Sequence, residues 1–275
     1  DLFIYNFSDS TSEKIAGGVK TAPTWVDDST LVYTMHSKPN KRGSKYFDLY
    51  RYTFSDEEEQ RLTYNSRLIS PVYNKNLNNI AAITSYDGTS NIMISRNVDI
   101  TQDTLTFGAV TQLDNGIQLL SLAWSGNTLL VDGVYHQGRQ IYKVDLDVGE
   151  LELVSSGRWE NRDQIISSDG MIYVSDKSGI NNLVYQKDGR QDYITNVLGG
   201  AFMPSVSNDR KILFSLYENG RYNIAILEDY QPIENGLVGY EEDYFENSPQ
   251  SELILGEKLE SKPYEENMLS MAIMP

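Results

Sequence analysis

The sequence has 275 residues, 40% of them apolar, which is enough to bury the core of one large domain or two smaller ones. With no cysteine and two histidines, it excludes a disulfide framework, thiolate metal sites and a multi-histidine zinc site. The formal net charge of −16 argues against a nucleic-acid partner, because phosphate binding needs a basic surface.

The acidic residues are concentrated near the C-terminus. Residues 228–266 contain 12 Asp and Glu against 2 Lys, whereas the part before them is only mildly acidic. A mildly acidic body favours solubility and does not indicate a particular ligand. The chain contains no apolar run of about 18 residues, so we expect no transmembrane helix and no direct membrane insertion.

A short pattern recurs along the chain: a polar residue, then Leu or Ile, then alternating apolar and aromatic residues. Successive copies are separated by 47, 43, 49, 42 and 41 residues. A period in the forties with four short strands per unit is typical of propeller blades. The recurring positions are Leu2, Leu49, Ile92, Ile141, Leu183 and Ile224.

Each recurring position is interpreted as part of the third strand of a four-stranded blade. The clearest unit contains Asn79 to Arg96, where Asp87-Gly88 supplies the turn between the second and third strands. We therefore predict an all-β chain, a six-bladed β-propeller with four-stranded antiparallel blades. The first blade is truncated to its last two strands, and the last blade lacks its fourth. The predicted blades are 1–18 (partial), 19–64, 65–114, 115–156, 157–197 and 198–230.

Residues 231–275 depart from this pattern. They contain four of the eight prolines and many acidic residues, and alternate like a strand only at Leu253-Ile254-Leu255. We expect an irregular, extended acidic tail, or a linker to a downstream domain. The chain begins at Asp1 with no basic and apolar leader, so we also expect residues before it, including any targeting signal.

One unit carries the pattern of a known repeat. It has Arg-Leu-Thr at 61–63, a strand with Pro71 and Tyr73, then Asp87-Gly88 and Asn91-Ile92. This unit resembles the repeat of the TolB-like, WD40-like (PD40) six-bladed β-propellers. The last unit matches this repeat moderately, and the third and fourth full units match it poorly. The resemblance covers about residues 1–229.

The resemblance implies a bacterial periplasmic or cell-envelope location and a non-catalytic role in binding a protein or peptide partner. Some relatives place such a propeller in front of an outer-membrane barrel or beside a peptidase domain. The alternative is therefore an accessory propeller that gates substrate for a peptidase whose catalytic domain lies outside this chain. Either role allows a covalent link to a downstream membrane or peptidase domain.

Catalytic motifs are absent from the sequence. Ser125 lacks the glycine two positions earlier that a hydrolase elbow requires, and no HExxH motif occurs. The acidic turn at 145–150 lacks the later Glu of an EF-hand. A propeller glycosidase needs carboxylates on the first strands, where Asp163 is a rare acid. We predict no enzyme activity, no metal and no cofactor within this chain.

The loops from the fourth strand of one blade to the first strand of the next open beside the central channel. Arg and Trp dominate the energetics of protein interfaces, and an Arg at a channel mouth can hold a carboxylate. The alternative is a structural Arg–Asp network that holds the loop at 158–163. The predicted partner contacts are Arg67, Arg158, Trp159, Arg162 and Phe202.

Overall fold

The computed structural model describes residues 1–86, 88–114, 116–134, 138–155, 157, 159–167, 169–233 and 237–239. Within these ranges the chain forms 21 strands and no helix. Accordingly, the described residues include no helix that is long and apolar enough to cross a membrane. Arg158 and most of the predicted tail at 231–275 lie outside the described residues.

The strands pair antiparallel in sequence order and form six separate sheets. The first is a two-stranded hairpin, β1 (Leu2–Asn6) and β2 (Thr11–Ala16). Blade I comprises β3 (Thr24–Asp27), β4 (Thr30–His36), β5 (Phe47–Thr53) and β6 (Glu58–Arg61). Blade II comprises β7 (Leu68–Asn74), β8 (Asn79–Tyr86), β9 (Thr89–Ser95) and β10 (Gly108–Ala109).

The remaining three sheets follow in the same order. Blade III comprises β11 (Gln118–Ser125), β12 (Thr128–Val134), β13 (Arg139–Val144) and β14 (Leu151–Leu153). Blade IV comprises β15 (Asn161–Ile166), β16 (Met171–Ser175), β17 (Asn182–Lys187) and β18 (Arg190–Tyr193). Blade V has three strands, β19 (Ala201–Val206), β20 (Ile212–Glu218) and β21 (Arg221–Leu227).

The all-β propeller is confirmed, but the predicted count of six blades is wrong. Five sheets have three or four strands and include an inner first strand, whereas residues 1–18 form only the β1–β2 hairpin. The recurring pattern marks third strands, so it counted the hairpin as a blade although it has no first or second strand.

The predicted hairpin in blade II shows why these sequences form blades. β8 and β9 pair from Ile80↔Ser95 to Tyr86↔Thr89, and Gly88 in the turn has a φ of 78°. Ile80 and Ala82 pack toward blade I, whereas Ala81 and Ile83 pack toward blade III. Successive side chains of a strand point to opposite faces, so a strand between two blades is apolar at every position.

The hydrophobic core is divided among the interfaces between neighbouring sheets. Separate clusters join the hairpin to blade I, and blades I to II, II to III, III to IV and IV to V. No cluster among the described residues joins blade V to the hairpin. Each blade is therefore stabilised mainly by its neighbours, as in other stacked repeats.

The first strands of consecutive blades contact one another and form the inner wall of the ring. Each has an irregular register, and in three of them a residue other than glycine takes a positive φ: Ser70 (52°), Asp163 (53°) and Met203 (49°). A β-bulge redirects the next side chain and is common beside binding sites. Two of the predicted contacts, Arg162 and Phe202, directly precede the positive-φ residues of these bulges.

A hydrogen-bond motif, here called the polar clasp, joins the third and fourth strands of blades I to IV. A Thr or Ser hydroxyl donates a hydrogen bond to an Asp, Asn or Gln side chain. The same hydroxyl accepts the backbone N–H of the residue that follows this Asp, Asn or Gln. The polar pairs are Asp48–Thr63 (3.2 Å), Asn91–Thr111 (3.0 Å), Gln140–Ser155 (3.0 Å) and Asn182–Thr195 (2.9 Å). The accepted N–H groups belong to Leu49 (2.9 Å), Ile92 (2.8 Å), Ile141 (2.9 Å) and Leu183 (2.8 Å).

Candidate functional site

The predicted contacts fall into two separate groups. Arg162 and Phe202 are in contact where blade IV meets blade V, and Trp159 lies in the loop that enters blade IV; we call these three residues the IV–V junction. Arg67 lies in the loop that enters blade II, against rings from blades I and II. Arg158 lies outside the described residues, so its position is not part of either group.

Two glycines leave the space that the two aromatic rings of the IV–V junction occupy. Gly157 has a φ of 128°, and a Cβ on it would lie 2.3 Å from the ring of Trp159. Gly200 repeats this arrangement one blade later, with a φ of 125° and a distance of 2.6 Å to the ring of Phe202. Only glycine adopts such a φ without strain and leaves room for the ring. Each loop therefore places its aromatic residue two positions after a required glycine.

The bulges bring Arg162 and Phe202 together. Arg162 directly precedes Asp163, and Phe202 directly precedes Met203, so the two occupy equivalent places on neighbouring inner strands. The Arg162 guanidinium carbon lies 5.4 Å from the centre of the Phe202 ring, which is a cation–π contact. The buried Nε of Arg162 has no hydrogen-bond partner within the described residues, and Glu160 lies 3.9 Å from it.

An Arg–Asp network exists beside this loop, but its arginine is not one of the predicted residues. Asp163 pairs with Arg139 of blade III at 3.2 Å, and Arg139 also pairs with the fully buried Asp132 at 2.8 Å. The backbone N–H of Asp163 donates to Asp132 at 2.8 Å. The network stabilises the interface between blades III and IV, while Arg162 is directed to Phe202.

Two further residues hold the Trp159 loop, and sequence reasoning missed both. The amide of Gln140 donates to the carbonyl oxygens of Trp159 at 2.6 Å and of Gly157 at 3.1 Å. The Lys177 ammonium lies 5.0 Å from the centre of the Trp159 ring. Gln140 is also the clasp residue of blade III, so the motif that closes this blade also fixes the neighbouring loop.

Arg67, which lies apart from the IV–V junction, contacts two tyrosine rings. Its guanidinium carbon lies 5.4 Å from the ring centre of Tyr46 and 5.2 Å from that of Tyr86. Tyr86 is 63% exposed, so the contact lies at the surface. The sequence placed Arg67 in the correct loop, but not between two tyrosines that come from different blades.

A cavity of about 670 Å³ lies between blades III and IV, and none of the predicted contacts lines it. Its lining includes Lys143, Asp169 and Lys187, and Asp169 pairs with Lys187 at 3.3 Å and with Arg210 at 3.5 Å. Within the described residues, His, Asp and Glu side chains form no group of three able to hold a metal ion. The groups that the IV–V junction offers are a planar cation, two aromatic rings and two loop glycines with positive φ.

Comparison with solved structures identifies propellers of the same fold. TolB from Acinetobacter baumannii superposes with a TM-score of 0.65 at 18% identity, over 85% of this chain and 60% of that one. TolB from Agrobacterium tumefaciens gives a TM-score of 0.63 at 18% identity, over 81% of both chains. These identities establish the fold alone, and the chain spans 60% of the length of the Acinetobacter protein.

A peptidase also contains a propeller of this kind. The tricorn protease superposes with a TM-score of 0.58 at 13% identity, over 86% of this chain and 25% of the protease. No protein-family model matches the sequence, and no curated protein matches it. The fold is therefore that of TolB-type propellers, and the function has to be argued from the residues.

Proposed function

We propose that this chain is a non-catalytic, protein- or peptide-binding propeller module of a larger bacterial envelope protein, located in the periplasm or cell envelope. The observation that carries the proposal is the IV–V junction, where Arg162 packs on Phe202, and where the loop just before Arg162 holds Trp159 with Lys177 over its ring. The location rests on the resemblance of the repeats to TolB-like propellers, and the likeness in fold to TolB is consistent with it.

The junction has the composition and geometry of a recognition site. Trp and Arg are the residues that most often dominate protein interfaces, and rings held by packing lose little conformational entropy on binding. The Nε–H of Arg162 makes no hydrogen bond among the described residues, although the Glu160 carboxylate lies 3.9 Å from this nitrogen. An arginine with a donor that makes no hydrogen bond, beside an aromatic ring, suits a carboxylate on a partner peptide, which would have to compete with Glu160. Arg158 and Arg67 remain proposed contacts of the same function.

Replacing Trp159 and Arg162 by alanine together is expected to weaken binding of the partner at least about tenfold while the propeller stays folded. Both side chains are partly exposed, so their loss removes contact area without opening a core cavity. The partner is recovered by pulldown with the wild-type protein, and affinity is then measured by calorimetry. Circular dichroism and thermal unfolding of the variant check the fold.

A matched double variant, Trp25→Ala with Arg96→Ala, removes the same residue types away from the junction. Trp25 is 50% exposed and stacks on Phe54 of its own blade at 5.6 Å between ring centres. This control should bind the partner with wild-type affinity. Unchanged affinity in the Trp159→Ala, Arg162→Ala variant, or equal loss in the control, would remove the junction as the binding site.

A second candidate function is an accessory propeller that gates substrate for a peptidase whose catalytic domain lies outside this chain. The observation that favours it is the likeness in fold to the tricorn protease. The full-length reading frame separates the two functions: a hydrolase Ser motif or an HExxH motif in the flanking sequence would support the peptidase. An outer-membrane barrel in its place would support the binding module.

A further inference from the structure

One surface of this acidic protein is strongly basic. The loop from β4 to β5, taken with its flanking strand residues His36 and Phe47, contains four Lys and Arg and no acidic residues, although the whole chain has a net charge of −16. The four are Lys38, Lys41, Arg42 and Lys45, and all are exposed. None forms an ion pair within the part of the chain that the structure describes. We call residues 36–47 the basic loop.

Internal hydrogen bonds shape the basic loop. Ser37 and Tyr46 close its base, with the N–H of Ser37 donating to the carbonyl of Tyr46 at 2.8 Å and the N–H of Tyr46 donating to the Ser37 hydroxyl at 3.1 Å. Near its tip, the Asn40 side chain accepts the N–H groups of Arg42 at 2.9 Å and Ser44 at 3.0 Å. The loop is therefore ordered before binding, which lowers the entropic cost of holding a ligand.

Aromatic rings and further cations surround the base of the basic loop. His36 stacks on Phe47 at 3.9 Å between ring centres, and the Lys20 ammonium lies 6.0 Å from the same Phe47 ring. Arg67 lies between Tyr46 of the loop and Tyr86 of blade II. We call the basic loop together with Lys20, Arg67 and Tyr86 the basic–aromatic surface.

The charges of this surface are available to a ligand. Lys20 and Arg67, like the four cations of the loop, form no ion pair among the described residues. Arg61, the next cation along, is already bound to the buried carboxylate of Asp48. Six basic side chains are thus presented together, with rings beside them that can pack on a peptide.

We propose that the basic–aromatic surface is a second binding site, which takes an acidic, extended peptide segment of a protein partner. Its carboxylates bind the loop cations, and its intervening residues pack on the rings of Tyr46 and Tyr86. The guanidinium plane of Arg67, held between these rings, binds one carboxylate through two N–H groups. This site is separate from the IV–V junction and does not depend on it.

A peptide fits the surface better than a membrane or a nucleic acid. Both of those are extended polyanions, and the net charge of −16 repels them at a distance. A short acidic segment carries few charges and meets mainly the local field of the loop, because salt screens charges beyond about 8–10 Å. Tyr and Arg are also typical of protein-binding surfaces.

The test uses the whole 275-residue chain and a fluorescein-labelled peptide of alternating Glu and Pro. Such a peptide is pre-extended, so little entropy is lost on binding. Fluorescence anisotropy should show saturable binding that weakens as salt is added. The same peptide with Gln in place of Glu should bind at least about tenfold more weakly, because the ligand charge is removed.

Variants locate the site on the protein. The double variant Lys41→Gln, Arg42→Gln is expected to lower affinity for the Glu–Pro peptide at least about tenfold. Arg67→Lys keeps the charge but loses the planar group, and should also weaken binding. The matched control Lys75→Gln, Arg96→Gln removes the same charge from exposed positions outside this surface and should bind normally. Trp159→Ala with Arg162→Ala should also bind normally.

Several results would overturn the proposal. One is the absence of saturable binding to the Glu–Pro peptide; another is equal binding of the Gln–Pro peptide. Equal loss in the Lys75→Gln, Arg96→Gln control would mean that bulk charge alone is responsible. Binding to phosphatidylglycerol vesicles or a single-stranded oligonucleotide, without binding to the peptide, would assign the surface to a lipid or nucleic-acid ligand. Loss of peptide binding in the Trp159→Ala, Arg162→Ala variant would show that the two sites are one.

Discussion

Replacing Asp132 by alanine is expected to lower the free energy of unfolding by about 3–5 kcal/mol, because it breaks a buried ion pair from one side. Asp132 is fully buried, pairs with Arg139 at 2.8 Å and accepts the N–H of Asp163 at 2.8 Å. Burial raises the pKa of Asp132, and Arg139 and Ser121 oppose that rise, so the carboxylate depends on these partners. Urea unfolding followed by circular dichroism measures the loss.

The control for this prediction is an exposed ion pair of the same blade. Lys143 and Glu152 lie 3.9 Å apart, with side chains 51% and 78% exposed. Because exposed pairs contribute about 0–1 kcal/mol, Glu152→Ala should change stability by less than about 1 kcal/mol. A loss of that small size in Asp132→Ala would contradict the role of Asp132 in joining blades III and IV.

Asp48 gives the second large effect and tests the polar clasp. Its fully buried carboxylate pairs with Arg61 and accepts from Ser66 at 2.7 Å through the hydroxyl and 2.9 Å through the backbone N–H. Asp48→Ala is expected to cost about 3–5 kcal/mol of unfolding free energy, since Arg61 and several N–H groups lose their acceptor. Thermal and urea unfolding measure this cost.

Asp48→Asn separates the clasp from the ion pair. Asn91 and Asn182 occupy the same position in blades II and IV, where an amide oxygen accepts the Thr hydroxyl. An asparagine at position 48 should therefore keep the clasp to Thr63 and lose only the charge partner of Arg61. We expect a cost of about 1–2 kcal/mol, clearly below that of Asp48→Ala. Equal costs for the two variants would show that the clasp contributes little.

The blade repeat was predictable because four of its recurring Leu and Ile positions are buried in the same place in each third strand. Leu49, Ile92, Ile141 and Leu183 are all fully buried, and only Leu or Ile at a fixed place in each third strand fills that space. The same pattern also occurs at Leu2, where no first and second strands precede it among residues 1–275. The two-stranded first sheet and the three-stranded last sheet were both predicted from this pattern, and the blade count was wrong because the hairpin was counted as a blade.

The loops of the candidate site were predictable, but the contacts in them were not. Arg162 and Phe202 are 40 residues apart in sequence and meet because both precede a positive-φ residue in adjacent bulged strands. A bulge shifts the register of the strand by one residue. These two bulges could not be recognised in the sequence, because the residues with positive φ are Asp163 and Met203 and not glycine. Their pairing therefore required the three-dimensional register of two blades.

Two other features were visible in the sequence and were missed. The clasp follows from a polar residue before each marker and a Thr or Ser two residues after the end of each fourth strand, as in Asn182 and Thr195. The basic loop follows from Lys38 to Lys45, but a net charge of −16 directs attention to the acidic tail. A small surface can carry a charge opposite in sign to the net charge of the whole chain, so the net charge does not predict the charge of each loop.

Blade V presents the clasp without its closing half. Asn223 precedes Ile224 in β21 as Asp48 precedes Leu49, but β21 is the edge of a three-stranded sheet, and Ile224 is 76% exposed. No further strand among the described residues pairs with β21, and an edge of this kind is a template for strand addition. The edge favours one residue type in the added strand. A Thr or Ser hydroxyl placed between Asn223 and the N–H of Ile224 would form the same two hydrogen bonds as the polar clasp of blades I to IV. Within the described residues, blade V therefore presents one amide and one exposed isoleucine that favour a Thr or Ser at one position of a strand that would complete it.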